Sequence, residues 1–427
     1  MRRAFVNIRA AAASRSISEV ELEFSDMSAP FECPIDLPET DIDPFSRENI
    51  LTPNGYQEAL RPLGDIVWLR KYGVLCVARH DSVTRVLQDP MHFISSGGVG
   101  LSDVRKPGAW RPTSPIAEVD PPGHTSVRKA MNRIVSPVTV RNWRAGFSEL
   151  AEEICSGIAK GRSFDAVRDV IEPYVLRAFS GALGIEAHGE NLIIVGNHSF
   201  NASGPQNEFF YETEAKLAEI ADWYERTQQS EAMIPGGFGE RVFEAEAAGE
   251  LPPETASPML RTLIRGGMDT TISALGTLLR HLAEQPQWLP RIQEDRRLVL
   301  ACLEESIRLE SPVQCVFRTT SDGASFAGVD LPDDLKVQVL IGAANRDPDR
   351  WLSPDVFNPE RDFKSGMHTG FGHGVHNCLG QMIARAEVQC FMNVFLDHFK
   401  DLRLASPVSY RAMNVLRTLD ELPITVH

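Results

Sequence analysis

The sequence predicts a mainly α chain with small β-sheets, folded as one domain over residues 45–427. Three observations carry this. Long stretches show helical spacing, the β-rich runs are short and scattered, and no convincing linker follows residue 45. Taken in order, Met1 to Ser18 carries Arg2, Arg3, Arg9 and Arg15 among alanines with no acid and reads as a disordered leader. Met27 offers a plausible alternative start, and residues 30–63, rich in proline and acid, read as an extended arm. Ile66-Val67-Trp68-Leu69 and Val74-Leu75-Cys76-Val77 form a hairpin across Lys71-Tyr72-Gly73. Residues 94–113 hold Ser95-Ser96-Gly97-Gly98 and two prolines, a long loop of the kind that usually carries function.

Helices dominate from there. Phe147, Leu150, Ile154 and Ile158 recur at steps of three and four before Gly161. Residues 257–284 make the longest candidate helix, ended by Pro286, and residues 296–309 make an amphipathic one, ended before Pro312. Strand-like pieces return at 313–319 and 336–342, and a last helix follows Cys378 to about residue 398.

Composition narrows the function. Hydrophobic content of 43% and charged content of 24% are ordinary for a globular chain. No apolar run approaches the roughly 20 residues a bilayer span needs, so a membrane anchor is not expected. The net charge of −15, with no basic stripe, disfavours nucleic-acid binding. Seven dispersed cysteines without a CxxC pair suit a reducing cytoplasm. A zinc site on Cys378, His373 and His376 fails on ligand count.

The chemistry concentrates near the C-terminus. Phe371-Gly372-His373-Gly374-Val375-His376-Asn377-Cys378-Leu379-Gly380 places one cysteine in a glycine-punctuated loop that runs into an apolar helix. Glycines let backbone pass close to a flat cofactor, and a helix N-terminus favours an anionic sulfur. Upstream, Glu305 and Arg308 lie at i and i+3 on one helix face, where they can pair, and Arg361 could complete a three-charge network. In the long helix, Gly266-Gly267-Met268-Asp269-Thr270-Thr271 is poor helix material. A threonine hydroxyl bonding back one turn would bend the helix and open a groove. There Asp269 could pass protons and Thr270 position a water; a plain kink at a close helix crossing explains the same residues. His124 and Arg128, at i and i+4, share a face.

From about residue 45 to the end the chain resembles the cytochrome P450 family of haem-thiolate monooxygenases. The resemblance implies that family's fold, a helical triangular prism with haem b held between the long distal helix and the cysteine-bearing helix. It implies Cys378 as axial iron ligand, Phe371 and Gly380 beside the sulfur, and His124, Arg128, Arg318 and His376 on the haem propionates. It implies Asp269 and Thr270 as the acid–alcohol pair of oxygen activation, and Glu305, Arg308 and Arg361 as a structural triad. With no reductase domain in the chain, electrons are expected from a separate [2Fe–2S] ferredoxin served by a reductase using NADH or NADPH. A cytoplasmic monomer is expected.

Within the family the chain is most similar to a bacterial branch that oxidises para-substituted benzoic acids, often by O-demethylation. The shared segments include Gly98–Asp103, Gly204–Glu208, Pro235–Gly239 and Ala343–Pro348. Ser95 and Ser96 would then meet a carboxylate, and Phe200, Phe317, Val313 and Gly266 would line the pocket. The branch pattern places an arginine after the two serines, whereas this chain has Gly97, and it has Arg265 where a serine is expected. The cation that greets the carboxylate would therefore have moved to the long helix, with Arg261 and Thr262 one turn further back. An Arg265–Asp269 bridge at i,i+4 would instead occupy both groups. A neutral aromatic, a terpenoid or a fatty-acid-like metabolite is the alternative substrate.

Overall fold

Gly73, at φ +61°, turns Val67–Leu69 back on Val74–Val77, and the expected hairpin forms. The computed structural model describes residues 30–363 and 366–427; the leader expected at residues 1–18 and the start at Met27 lie outside them. Val74–Val77 pairs in parallel with Lys336–Leu340, which pairs antiparallel with Cys315–Thr320, and Phe93–Ile94 closes that edge. On the other edge Glu39–Thr40 runs parallel to Trp68–Leu69.

The expected arm over 30–63 is only partly extended. Arg47–Leu51 and Pro53–Leu60 are helices, the first capped by the Ser46 side chain and the second opened by Pro53. Proline there is a helix starter rather than a sign of extended chain. The strand at Glu39–Thr40 also ties residues before 45 into the main sheet.

The rest is mainly helix. Pro137–Ser156 packs along Gln381–His398, and Asp269–Glu284 lies against Leu298–Glu310. These helices enclose a core that includes Phe147, Leu275, Leu278, Leu303, Phe391 and Phe395, all nearly inaccessible. Helices also fill the stretch between the periodic run and the long helix: Glu172–Leu183, Gly189–Asn201, Glu208–Glu219 and Phe238–Ala247.

The long helix expected over 257–284 is two helices, Ala256–Gly267 and Asp269–Glu284, with Met268 between them at φ −108°, ψ −61°. The Thr270 hydroxyl donates to the Gly266 carbonyl at 3.1 Å and the Thr271 hydroxyl to the Gly267 carbonyl at 3.4 Å, which takes up carbonyls that helical N–H groups would otherwise use. At Gly267 a Cβ would stand 2.2 Å from the Phe179 ring, so the neighbouring helix presses on the break.

Candidate active site

The cysteine loop folds around its own backbone. Cys378 donates its N–H to the Phe371 carbonyl at 2.7 Å, closing the loop on itself. Gly374 sits at φ +71°, with its missing Cβ only 2.4 Å from the Leu87 carbonyl. No other residue satisfies both demands there. A short 3-10 turn, Gly374–His376, then delivers Cys378 three residues ahead of the Gln381–His398 helix. Its side chain keeps an accessible face although protein packs closely around it, as in a residue lining a hollow. Burial pushes the thiol up, while the Gly380 N–H, the Arg128 guanidinium, the Gln381 N–H and Arg385 all favour the thiolate. Arg385 also lies 4.3 Å over the Phe371 ring.

Two guanidiniums and two imidazoles gather beside that loop. The His124 and His376 rings lie 4.2 Å apart, and Arg128 donates to the Asn377 carbonyl and side chain at 2.6 and 2.8 Å. Burial and then Arg318 push the His376 imidazole down to about 3, and burial and then Arg128 push His124 down. Burial lowers Arg318 to about 10, against the pull of Asp120. The Nε2 atoms of both histidines are buried without a partner. Among the described residues Asp120 is the one acid acting on Arg318, His124 and His376, and its carboxylate already accepts the N–H groups of Ser95 at 2.7 Å and Ser96 at 3.2 Å. Such a cluster suits the two propionates of a haem, with the Cys378 sulfur beside it. The residues present fit the expected cofactor.

Asp269 is buried, and burial pushes its carboxyl up to about 7 against the opposing charge of Arg411. Its Oδ2 has no hydrogen-bond partner and lies where a Cβ on Gly196 would stand. No Arg265–Asp269 ion pair forms among the described residues; the Arg265 Nε donates to the Ser199 hydroxyl at 2.7 Å instead. Arg411 is held by Asp420 at 3.1 Å and Glu172 at 3.4 Å, and these three with Asn197 line a cavity of about 880 Å³. Neither Cys378 nor Arg265 lines it. Gly266 is exposed, with nothing within 4 Å of a Cβ.

Glu305, Arg308 and Arg361 come together. Arg308 binds the Glu305 carboxylate with Nε at 2.7 Å and a terminal nitrogen at 2.8 Å, and the Arg361 Nε approaches the same group at 3.1 Å. Arg308 also donates to the Asn345 carbonyl at 2.7 Å, and the Asn345 side chain holds the Thr369 N–H at 2.8 Å, two residues before Phe371.

The substrate-loop expectations fare unevenly. The Ser95 hydroxyl is buried and unpartnered, while Gly97 packs so that a Cβ would meet Thr319. The Lys336 ammonium reaches the Gly97 and Gly98 carbonyls at 3.0 and 2.7 Å. Phe317 has no exposed surface and belongs to a core cluster with Leu340 and Val415; it is a core residue rather than a pocket wall. Phe200 packs half-buried on the same cluster, and Val313 bridges to Leu416. Arg261 donates to the Thr113 carbonyl at 3.0 Å, and Thr262 to the Ser114 hydroxyl at 3.0 Å. Sequence reasoning missed Arg111, Glu118, Ser199, Glu172 and Arg411. The long loop over 94–113 contains the first of these; nothing local marked the others.

Comparison with known proteins agrees with this geometry. A family model described as Cytochrome P450 matches residues 239–404. The chain is 38% identical over 390 residues to cytochrome P450 CYP199A2 of Rhodopseudomonas palustris, covering 91% of this chain and 94% of that protein. It is 28% identical over 375 residues to cytochrome P450 107B1 of Saccharopolyspora erythraea, covering 82% and 88%. The structure of cytochrome P450 CYP109Q5 from Chondromyces apiculatus superposes with a TM-score of 0.73 at 27% identity, covering 90% of this chain and 98% of that one. The chain belongs to the cytochrome P450 family of haem-thiolate monooxygenases.

Proposed function

We propose that this monooxygenase inserts one oxygen atom of O2 into a small aromatic acid resembling a para-substituted benzoate, by hydroxylation or O-demethylation. Electrons come from a [2Fe–2S] ferredoxin and its NAD(P)H-dependent reductase. The observation that carries the acidic substrate is Arg265. It sits one turn before Asp269 on the distal helix, pairs with no carboxylate among the described residues, and keeps one terminal nitrogen buried without a partner.

In this reading Cys378 ligates the iron, and His124, Arg128, Arg318 and His376 hold the propionates. When bound, the haem supplies dioxygen binding, its reduction and oxygen-atom transfer. The protein supplies position and protons. Gly266 leaves room in the distal helix. Thr270, with its hydroxyl turned on the Gly266 carbonyl, orients water in that groove. Asp269, at about 7, gives up and retakes a proton near neutrality. On a methoxy substrate the hydroxylated product splits into a phenol and formaldehyde.

A neutral aromatic, terpenoid or fatty-acid-like substrate is the second reading. It is favoured by the loop, where Gly97 lies against Thr319 and the Ser95 and Ser96 N–H groups are engaged by Asp120. Titration of the purified haem protein with substituted benzoates, read by visible absorbance, separates the two. The first reading expects a spin-state shift with some of them; a full set that never shifts the spectrum sinks it.

A further inference from the structure

Arg111 comes from the long loop after Phe93–Ile94, and its side chain is only 8% exposed. It forms an ion pair with Glu118 at 3.2 Å, while its Nε is buried with no partner. Glu118, 1% exposed, also accepts the Ser114 N–H at 2.6 Å and the Val99 N–H at 3.3 Å, so its carboxylate is already shared. Arg265 reaches the same region from the distal helix. It is close enough to disfavour the charge of Arg111 and Arg261, and both of these also feel Glu118. Arg261 ties one terminal nitrogen to the Thr113 carbonyl.

The charges here do not balance. Three guanidiniums share one carboxylate in a largely buried place. Arg111 is lowered only to about 10, chiefly by burial, so it stays charged near neutrality. The neighbouring side chains cannot complete the balance. Burial, then Arg265 and Arg111, push the His198 imidazole down to about 3, so it is neutral. Tyr224 is raised by burial, and its hydroxyl is buried without a partner. Glu214 lies near His198 at 3.3 Å and is half exposed. Uncompensated buried charge is costly, and a guanidinium fork matches a carboxylate in shape and hydrogen-bond count.

We propose that Arg111 and Arg265, with the Ser199 hydroxyl that Arg265 already holds, form a binding site for the carboxylate of the substrate. The Ser199 hydroxyl already accepts from Arg265 and is free to donate to a carboxylate oxygen. This rests on the aromatic-acid reading but makes a narrower demand, because it names a loop arginine that the resemblance did not supply. It also accounts for the missing loop cation at Gly97, since Arg111 enters the site from later in the same loop.

The test titrates the holoprotein with 4-methoxybenzoate and with neutral 4-methoxybenzamide, following the haem spectrum and, separately, binding heat. Wild type should bind the acid at least about tenfold more tightly. Arg111→Gln and Arg265→Gln should each weaken the acid by about tenfold or more and leave the amide within about twofold. Arg111→Lys should recover part of the loss. An unchanged carbon-monoxide spectrum of the reduced variants checks their assembly. Equal losses for acid and amide, or none, overturn the site. If wild type binds no benzoate at all, the aromatic reading fails on its own. The same variants are then titrated with long-chain fatty acids against the matching alcohols. An acid preference that Arg111→Gln removes keeps the carboxylate site; no acid preference in either panel overturns it.

Discussion

Asp269 shows how one buried group ties stability to chemistry. In the unfolded chain its carboxyl titrates near 3.8, and in the fold near 7. Between those values the folded state holds a proton that the unfolded state has lost, so this residue makes stability fall as pH rises through that window. Asp269→Asn should therefore shrink the loss of thermal midpoint between pH 5 and pH 8, as measured by differential scanning calorimetry. The same substitution should lower turnover about 100-fold while leaving the substrate-induced spectral shift in place. Wild-type turnover should decline above about pH 7 as the residue loses its proton. Arg411→Met should carry that decline to higher pH, because the opposing charge favours the carboxylate. A variant profile that tracks wild type would remove Arg411 from this role.

At the scale of the element, the break in the distal helix separates two adjacent glycines by their surroundings. Gly266 has open space where a Cβ would stand, whereas at Gly267 the Phe179 ring is 2.2 Å away. Gly266→Ala should leave stability unchanged or raise it by about 0.4–1 kcal/mol. Gly267→Ala should lower it by about 1–3 kcal/mol through overpacking. Urea unfolding of the two variants checks the contrast. The reverse order would mean that the groove, and not the helix crossing, is the tight side. The bend was legible in the sequence, because two glycines and two back-bonding threonines weaken the helix locally, and the structure places it at Met268; the pressure of Phe179 on Gly267 was not legible, because it comes from a neighbouring helix.

Across the whole molecule, the Glu305 network joins distant segments. Arg308 and Arg361 fix the chain over Leu352, Ser353, Pro354 and Val356 by donating to its carbonyls, and Asn345 passes the connection on to Thr369 ahead of the cysteine loop. Arg308 has no exposed surface, so its loss leaves the buried Glu305 carboxylate with the Arg361 guanidinium and the Asn358 N–H. Arg308→Met should cost about 3–5 kcal/mol of stability. It should also reduce the fraction of protein giving the red-shifted carbon-monoxide band, because the loop that carries Cys378 loses its support. Full stability with a normal spectrum would confine the network to local packing.

The sequence by itself determined the pieces whose constraint is local. Gly374 must take a left-handed turn, Cys378 must stand at a helix start, and Glu305 and Arg308 must share a helix face, since each of these follows from backbone geometry within a few residues. The short strands and the hairpin at Gly73 were legible for the same reason. Only the tertiary structure decided the long-range meetings. Phe317 turned out to be core because the faces of its strand are both covered, and Arg265 met Ser199 rather than Asp269 because the Gly189–Asn201 helix crosses at that turn. Arg111 reaches the site from a loop and Arg411 from the strand Ser409–Arg411, which pairs with Thr418–Glu421; their charges matter only because burial there removes the water that would otherwise screen them.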